Sequence, residues 1–118
     1  MGTRSLTFVY TEQGDTIVCL YRQYDGYPEG HGKELATILS TTLSNGMECL
    51  SASIVAKLKT GAYNIYLYPS DTDDAGQEYE YHIYENRVEI LSYPFPDRKI
   101  FSGSYSEFAD FCNSFAEA

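Results

Sequence analysis

The sequence predicts an α+β protein in which an antiparallel or mixed β-sheet of four to six strands carries two central helices and a C-terminal helix. Two periodicities lead to this prediction. Apolar and polar residues alternate along several segments, as in strands, and apolar residues recur every three or four positions along others, as in helices. A length of 118 residues is enough for one hydrophobic core, so a single domain covering 1–118 is predicted.

Strands are predicted where the alternation is clearest. The segment 16–23 is apolar on both faces, which is typical of an interior strand, and Arg22 should emerge at its end. Between Glu78 and Tyr84, acidic residues and His82 should form the outward, solvated side of a half-exposed strand. The predicted strands are 6–10, 16–23, 63–68, 78–84 and 87–93, with a short edge strand at 99–102 after a break at Pro94-Phe-Pro-Asp97.

Three helices follow from apolar residues at helical spacing. The first runs from near Lys33 to Leu43 and is expected to stop at Ser44-Asn45-Gly46. The second, which is shorter, covers about 50–58. The third begins with a capping box formed by Ser104 and Glu107. The apolar face expected to dock this last helix on the sheet consists of Phe108, Phe111, Cys112 and Phe115.

The charge balance argues against several classes of partner. The chain has 17 acidic and 8 basic residues and a net charge of −9, whereas proteins that bind a nucleic-acid backbone need a basic surface. No apolar run approaches the roughly 20 residues needed to span a bilayer. The first residues also lack the apolar core of a signal peptide. A cytoplasmic protein that binds neither nucleic acid nor membrane is therefore expected.

The cysteines predict neither disulfides nor a metal site. Cys19, Cys49 and Cys112 are widely spaced and include no Cys-x-x-Cys pair, so all three are predicted to be buried, reduced thiols. The acidic stretch 71–76 is similar to the start of a calcium loop but has Ala75 where an oxygen ligand belongs, so a solvated turn is predicted. We expect no metal and no cofactor.

The chain is rich in tyrosine, with 12 tyrosines and no tryptophan. A tyrosine ring packs against apolar groups while its hydroxyl finds a polar partner, which suits both strands and hydrated interfaces. In so small a domain several of these rings must lie at the surface. A cluster of them would form a binding face.

The most distinctive stretch is the loop 21–32, which should join a strand to a helix. Three glycines and a proline are interleaved with tyrosines, charged residues and a histidine. Glycine permits close approaches or positive φ, and Pro28 should hold Tyr27 extended. A shaped loop with many hydrogen-bonding groups is the predicted ligand-binding site. Its candidate residues are Arg22, Tyr24, Asp25, Tyr27, Glu29, His31 and Lys33.

Several interpretations of this loop remain open. Its amides at a helix N-terminus, with Arg22, could hold a small anionic, nucleotide-like ligand. His31 with Asp25 or Glu29 could instead provide the acid–base pair of a small hydrolase or transferase. The structural alternatives are that the glycines only turn the chain, that His31 caps the helix, and that Arg22 pairs with Asp25 or Glu29 to hold the loop shut.

A separate hypothesis concerns the segment 71–89, which contains seven acidic residues and one basic residue. Such a face could copy the charge pattern of nucleic acid and bind a basic protein. The structural alternative is the polar outer side of a β-hairpin.

Four blocks of sequence resemble a family of small proteins found in phages, large DNA viruses and some bacteria. The blocks are Gly2-Thr-Arg-Ser-Leu-Thr7, Tyr21-Arg-Gln-Tyr-Asp-Gly-Tyr-Pro-Glu-Gly-His-Gly32, Asn45-Gly-Met-Glu-Cys-Leu50 and Tyr66-Leu-Tyr-Pro69. The resemblance carries no activity with it. It implies a viral setting, and hence a non-enzymatic counter-defence factor in the host cytoplasm that binds a host protein or a small anionic ligand through the 21–33 loop. The partner's identity and any homo-oligomer stay open.

Overall fold

The computed structural model describes residues 2–93 and 98–115 and confirms the predicted fold class. The described residues form one six-stranded mixed sheet with three α-helices packed on it. The strands are β1 (Ser5–Tyr10), β2 (Thr16–Arg22), β3 (Ile65–Tyr68), β4 (Tyr79–Tyr84), β5 (Arg87–Ser92) and β6 (Arg98–Gly103). The helices are α1 (Lys33–Thr41), α2 (Met47–Leu58) and α3 (Tyr105–Ser114), and a π-helical turn, Pro28–Gly32, leads directly into α1.

The strands lie in the order β3-β2-β1-β4-β5-β6, so β1 and β4 are central. Tight turns make antiparallel hairpins of β1 with β2 and of β4 with β5. The pair β1–β4 is parallel, because the chain crosses from the edge strand β3 back to the middle of the sheet before β4 begins. In the part of the chain that the structure describes, β3 and β6 are the two edges.

The hydrophobic core lies between the helices and one face of the sheet. Alternate strand residues such as Val9, Leu20 and Ile83 point to this side, where they form one buried cluster with residues of all three helices. The opposite face carries a smaller buried cluster of Leu6, Phe8, Cys19 and Tyr21. The segment containing Ala75 packs against that second cluster, and no helix of the described residues covers it.

Helix α3 docks as the sequence predicts. The capping box is present: the Ser104 hydroxyl accepts a hydrogen bond from the Glu107 amide at 3.1 Å, and the Glu107 carboxylate accepts one from the Ser104 amide at 2.8 Å. Phe108 and Cys112 are completely buried. The ring of Phe101 on β6 lies 6.0 Å from that of Phe108 and 4.9 Å from that of Phe111, so the helix closes over the outer strands.

The first helix is shorter than predicted. It ends at Thr41 and Thr42 is already extended, so Leu43 points into solvent with 99% of its surface exposed. Hydroxyl groups explain the early end, because Ser40 and Thr41 both donate to the carbonyl of Thr37 and compete with the helical hydrogen bonds.

Three further predictions near α2 are wrong, the first being its length, because α2 has 12 residues and is longer than α1, which has 9. Gly46, expected to stop α1, begins α2 instead, with φ of 95° at its N-cap. Cys49, expected to be buried, is exposed because it lies on the solvent side of the first turn of α2; Cys19 and Cys112 are buried as predicted. The predicted break at Pro94-Phe-Pro-Asp97 lies outside the described residues.

The phenylalanines of α3 provide a test of this packing. Phe108→Ala should lower the free energy of unfolding by about 3–5 kcal/mol, because it empties a fully enclosed site. Phe111→Ala should cost less, since that ring is only partly buried. Urea denaturation of both variants checks this. Equal losses, or a larger loss for Phe111→Ala, would contradict this packing, because Phe111 would then be buried at least as deeply as Phe108.

Candidate functional site

The backbone of the 21–32 loop is shaped by close approaches. A β-carbon at Gly26 would lie 2.8 Å from the β-carbon of Ser5, and one at Gly32 would lie 2.6 Å from the sulfur of Cys112. Both distances are shorter than carbon and sulfur atoms tolerate, so glycine is required at each position. Positive φ is instead taken by Asp25, at 61°. As the sequence predicts, Tyr27 is extended before Pro28, which opens the π-helical turn.

His31 lies inside the protein with no exposed surface. Its Nε2 is 2.7 Å from the hydroxyl of Thr7 on β1, and its Nδ1 is 3.3 Å from Nη1 of Arg22. Since a guanidinium only donates, Nδ1 accepts and the Nε2 proton goes to Thr7. The ring meets Tyr81 of β4 edge-on at 4.9 Å. Burial first, and then the neighbouring Arg22 charge, lower the pKa of His31 to about 3, so the imidazole is neutral.

Each nitrogen of the Arg22 guanidinium has a partner within the protein. Its Nη2 lies 2.9 Å from a carboxylate oxygen of Glu34 on α1, and its Nε donates to the carbonyl of Tyr24 at 2.7 Å. Only 13% of the side chain is exposed, and it lies on the helix side of the sheet. The ion pair therefore forms with Glu34 and with neither Asp25 nor Glu29. The carboxylate of Asp25 instead accepts a hydrogen bond from the Tyr27 hydroxyl at 3.1 Å.

The amides of the loop are also engaged. Gly26 donates to the carbonyl of Thr3 at 2.8 Å, Gly30 to that of Tyr27 at 2.9 Å, and His31 to that of Asp25 at 2.8 Å. The hydroxyl of Tyr81 reaches in from β4 and donates to the carbonyl of Gly26 at 2.7 Å. These amides, like Arg22, are thus committed to the fold and do not form a free cradle for an anion.

The predicted site residues therefore divide into two groups. Arg22 and His31 form an internal clamp, with Thr7 and Glu34, that ties β1, β2 and α1 together. The other group lies at the surface. Tyr24, Asp25, Glu29 and Lys33 are exposed and Tyr27 is partly buried.

A cluster of rings lies on the outer face of β2 and β3, and Tyr24 follows in the loop just after β2. The Tyr21 ring stacks on that of Tyr68 at 4.8 Å and lies 6.1 Å from that of Tyr66. Burial raises the pKa of the Tyr21 phenol; Arg4 opposes this shift, whereas Tyr68, Tyr66 and Tyr24 add to it. Tyr24 is 60% exposed, and Tyr66 and Tyr68 are also exposed. We call Tyr21, Tyr24, Tyr66 and Tyr68 the tyrosine surface.

A second group of rings crosses β1, β4 and β5 on the same face of the sheet. His82 stacks between Phe8, at 5.1 Å, and Tyr10, at 5.8 Å. Tyr10 stacks in turn on Tyr84 at 4.6 Å, and the guanidinium of Arg87 lies 4.5 Å above the Tyr84 ring. This aromatic stack depends on the parallel register of β1 and β4, which sets Phe8 opposite His82.

Hydrogen bonds run along the stack. The Tyr10 hydroxyl lies 2.5 Å from Nδ1 of His82, whose Nε2 lies 3.0 Å from a carboxylate oxygen of Glu80. The side-chain amide of Gln77 donates to the other carboxylate oxygen of Glu80 at 2.7 Å. Glu80 is therefore buried, and the prediction that the acids of this strand all face solvent is wrong at that position. The segment before β4 folds over it, held by the Gln77 amide bonded to the carbonyl of Asp73.

The acidic segment 71–89 is accordingly not one uniform face. Glu80 is buried beneath the segment that precedes β4, and Glu89 is bridged at 3.3 Å by both Arg87 and Lys99. The remaining acids are exposed: Asp71, Asp73, Asp74, Glu78 and Glu85.

Three searches give no further site. Residues 2–93 and 98–115 contain no group of three or more His, Cys, Asp or Glu side chains placed to hold a metal ion. Of the helices that the structure describes, none is long and apolar enough to cross a membrane. Comparison of the chain with protein-family models, with curated proteins and with solved structures gives no match.

The neutral, buried His31 makes stability depend on pH. Its pKa in the folded state, about 3, lies below the ordinary value of 6.5. Between pH 3 and pH 6.5 the unfolded state therefore binds a proton on this imidazole that the folded state does not. This contribution to stability is complete above pH 6.5 and falls by roughly 1 kcal/mol per pH unit as the pH drops towards 3. Urea denaturation of wild type and His31→Asn across this range should show a shallower slope for the variant. Parallel slopes would contradict the assignment.

The Arg22 clamp gives a second test. Arg22→Ala leaves the buried Nδ1 of His31 without its donor, and it should lower the free energy of unfolding by about 2 kcal/mol. Lys33→Ala, an exposed charge on the same loop, should change it by less than about 0.5 kcal/mol. Thermal melting checks both variants. A small effect of Arg22→Ala would mean that the contacts of Arg22 contribute little to stability, so the residue would again be a candidate for ligand binding.

Proposed function

We propose that this protein is a non-enzymatic binding protein whose partner is another protein, and that the partner docks on the tyrosine surface. The observation that carries the proposal is the set of exposed rings on β3 and on the loop after β2, of which the two on β3 lie against the buried ring of Tyr21. Tyrosine is enriched in protein interfaces because its ring buries a large apolar area while its hydroxyl stays hydrogen-bonded. Isolated exposed rings need no explanation, whereas a contiguous group of them does.

The chemistry of the loop supports a binding role over a catalytic one. A general base must reach the proton that it removes. His31 has no exposed surface, and its two nitrogens contact Thr7 and Arg22. A role for the loop with a small anionic ligand is disfavoured for a related reason, because Arg22 and the loop amides already have partners inside the protein.

The charge of the chain suggests which protein would bind. Exposed acids follow the ends of β2 and β3 in the sequence, with Asp25 and Glu29 on the loop and Asp71 just beyond β3, although the ammonium of Lys59 lies 5.5 Å from the Tyr66 ring. Together with the net charge of −9, they favour a partner with a basic rim around an apolar centre. The family resemblance extends the proposal to a viral counter-defence factor whose partner is a host protein in the host cytoplasm.

The proposal is tested by affinity capture from host cells, comparing matched variants of the tagged protein. The double variant Tyr24→Ala, Tyr68→Ala should lose the captured partner, with affinity falling by about tenfold or more, because it removes two exposed rings. Leu43→Ala removes a still more exposed apolar side chain outside the tyrosine surface and should retain the partner.

Melting temperatures close to that of wild type would show that both variants remain folded. Capture that the double tyrosine variant leaves unchanged would place the binding site elsewhere. If only variants of the exposed loop acids, such as Asp25→Asn or Glu29→Gln, lose the partner, then the binding site includes those acids and not the tyrosine surface.

A further inference from the structure

The two edges of the sheet are protected differently. At β6, Arg98 and Lys99 are exposed, Lys99 pairs with Glu89, and the carboxylate of Glu107 lies close to Gly103. Charges of this kind on an edge strand discourage another strand from pairing with it. The segment 60–69, which contains β3, has no charged residue at all. Among the described residues β3 pairs with β2 alone, so its outer edge is open.

The side chains of β3 are exposed on both faces of the sheet. Tyr66 and Tyr68 lie on the outer face, where they meet Tyr21. Leu67 lies opposite Leu20, on the helix side, and is nevertheless 61% exposed. A further strand placed against β3 would cover apolar surface on both faces at once.

The charges at the two ends of β3 complement each other. The Lys59 ammonium stands at its start, donating to the carbonyl of Ile65 at 2.7 Å and lying 5.5 Å from the centre of the Tyr66 ring. The exposed Asp71 follows its end. Two antiparallel copies of the strand set the start of each beside the end of the other. Each Lys59 then faces an Asp71, twice in the pair.

We propose that β3 pairs antiparallel with β3 of a second copy of this chain, making a homodimer with one continuous sheet. The stretch 60–69, which has no charged residue of its own, carries the backbone pairing, and Lys59 and Asp71 on either side of it favour the antiparallel orientation. The net charge of −9 on each copy does not prevent this, because charges more than about 8 Å apart are largely screened at physiological ionic strength. The dimer would join two tyrosine surfaces side by side.

The proposal is independent of any binding partner, since it is measured on the purified protein alone. Sedimentation velocity across increasing concentration should show the mass rising from 13.3 kDa towards twice that value. Leu67→Lys places a charge on the open edge and should raise the dimer dissociation constant by about tenfold or more. Leu43→Lys, the same change at an exposed leucine away from β3, should dimerise like wild type.

A charge exchange tests the orientation separately. Asp71→Lys alone sets like charges together and should weaken the dimer, and the double variant Lys59→Glu, Asp71→Lys should recover it. Circular dichroism confirms that each variant is folded. A wild type that stays at the monomer mass at every concentration overturns the proposal. So does an equal response of the Leu67→Lys and Leu43→Lys variants, which would show that the copies meet elsewhere.

Discussion

The structure depends on one buried polar contact, the hydrogen bonds of His31 to Thr7 and Arg22. A histidine without exposed surface costs stability unless both ring nitrogens have partners, and here β1 supplies one and β2 the other. Arg22 then reaches Glu34, which fixes the start of α1. The loop is therefore held from the inside, while Tyr24 on the same loop remains exposed at the surface.

Local patterns predict the elements well and their arrangement only in part. Strand alternation and the capping box of α3 depend on neighbouring residues, so they can be read from the chain. The parallel pairing of β1 with β4 depends on residues far apart in sequence, which no local pattern records. Leu43 shows the same limit on a smaller scale, because hydroxyl groups of α1 end the helix before its apolar spacing does.

The loop illustrates why a distinctive sequence is hard to interpret. Glycines, charges and a histidine next to a helix predict a shaped, functional segment, and the shape is there. Which side chains turn inward is set by their partners, and Thr7 and Glu34 lie outside the motif. The tyrosine content of the chain is a more direct signal, because it predicts that several rings lie at the surface, although not which strands bring them together.

The central parallel pair also has a consequence for how the chain folds. Ser5 lies opposite Tyr79, so the seam between β1 and β4 closes only after most of the intervening chain has been ordered or looped out. The hairpins β1–β2 and β4–β5 are local in sequence and can form early, whereas pairing β1 with β4 carries a large entropic barrier. High contact order of this kind slows folding, and it makes the joining of an N-terminal half to a C-terminal half the expected rate-limiting event.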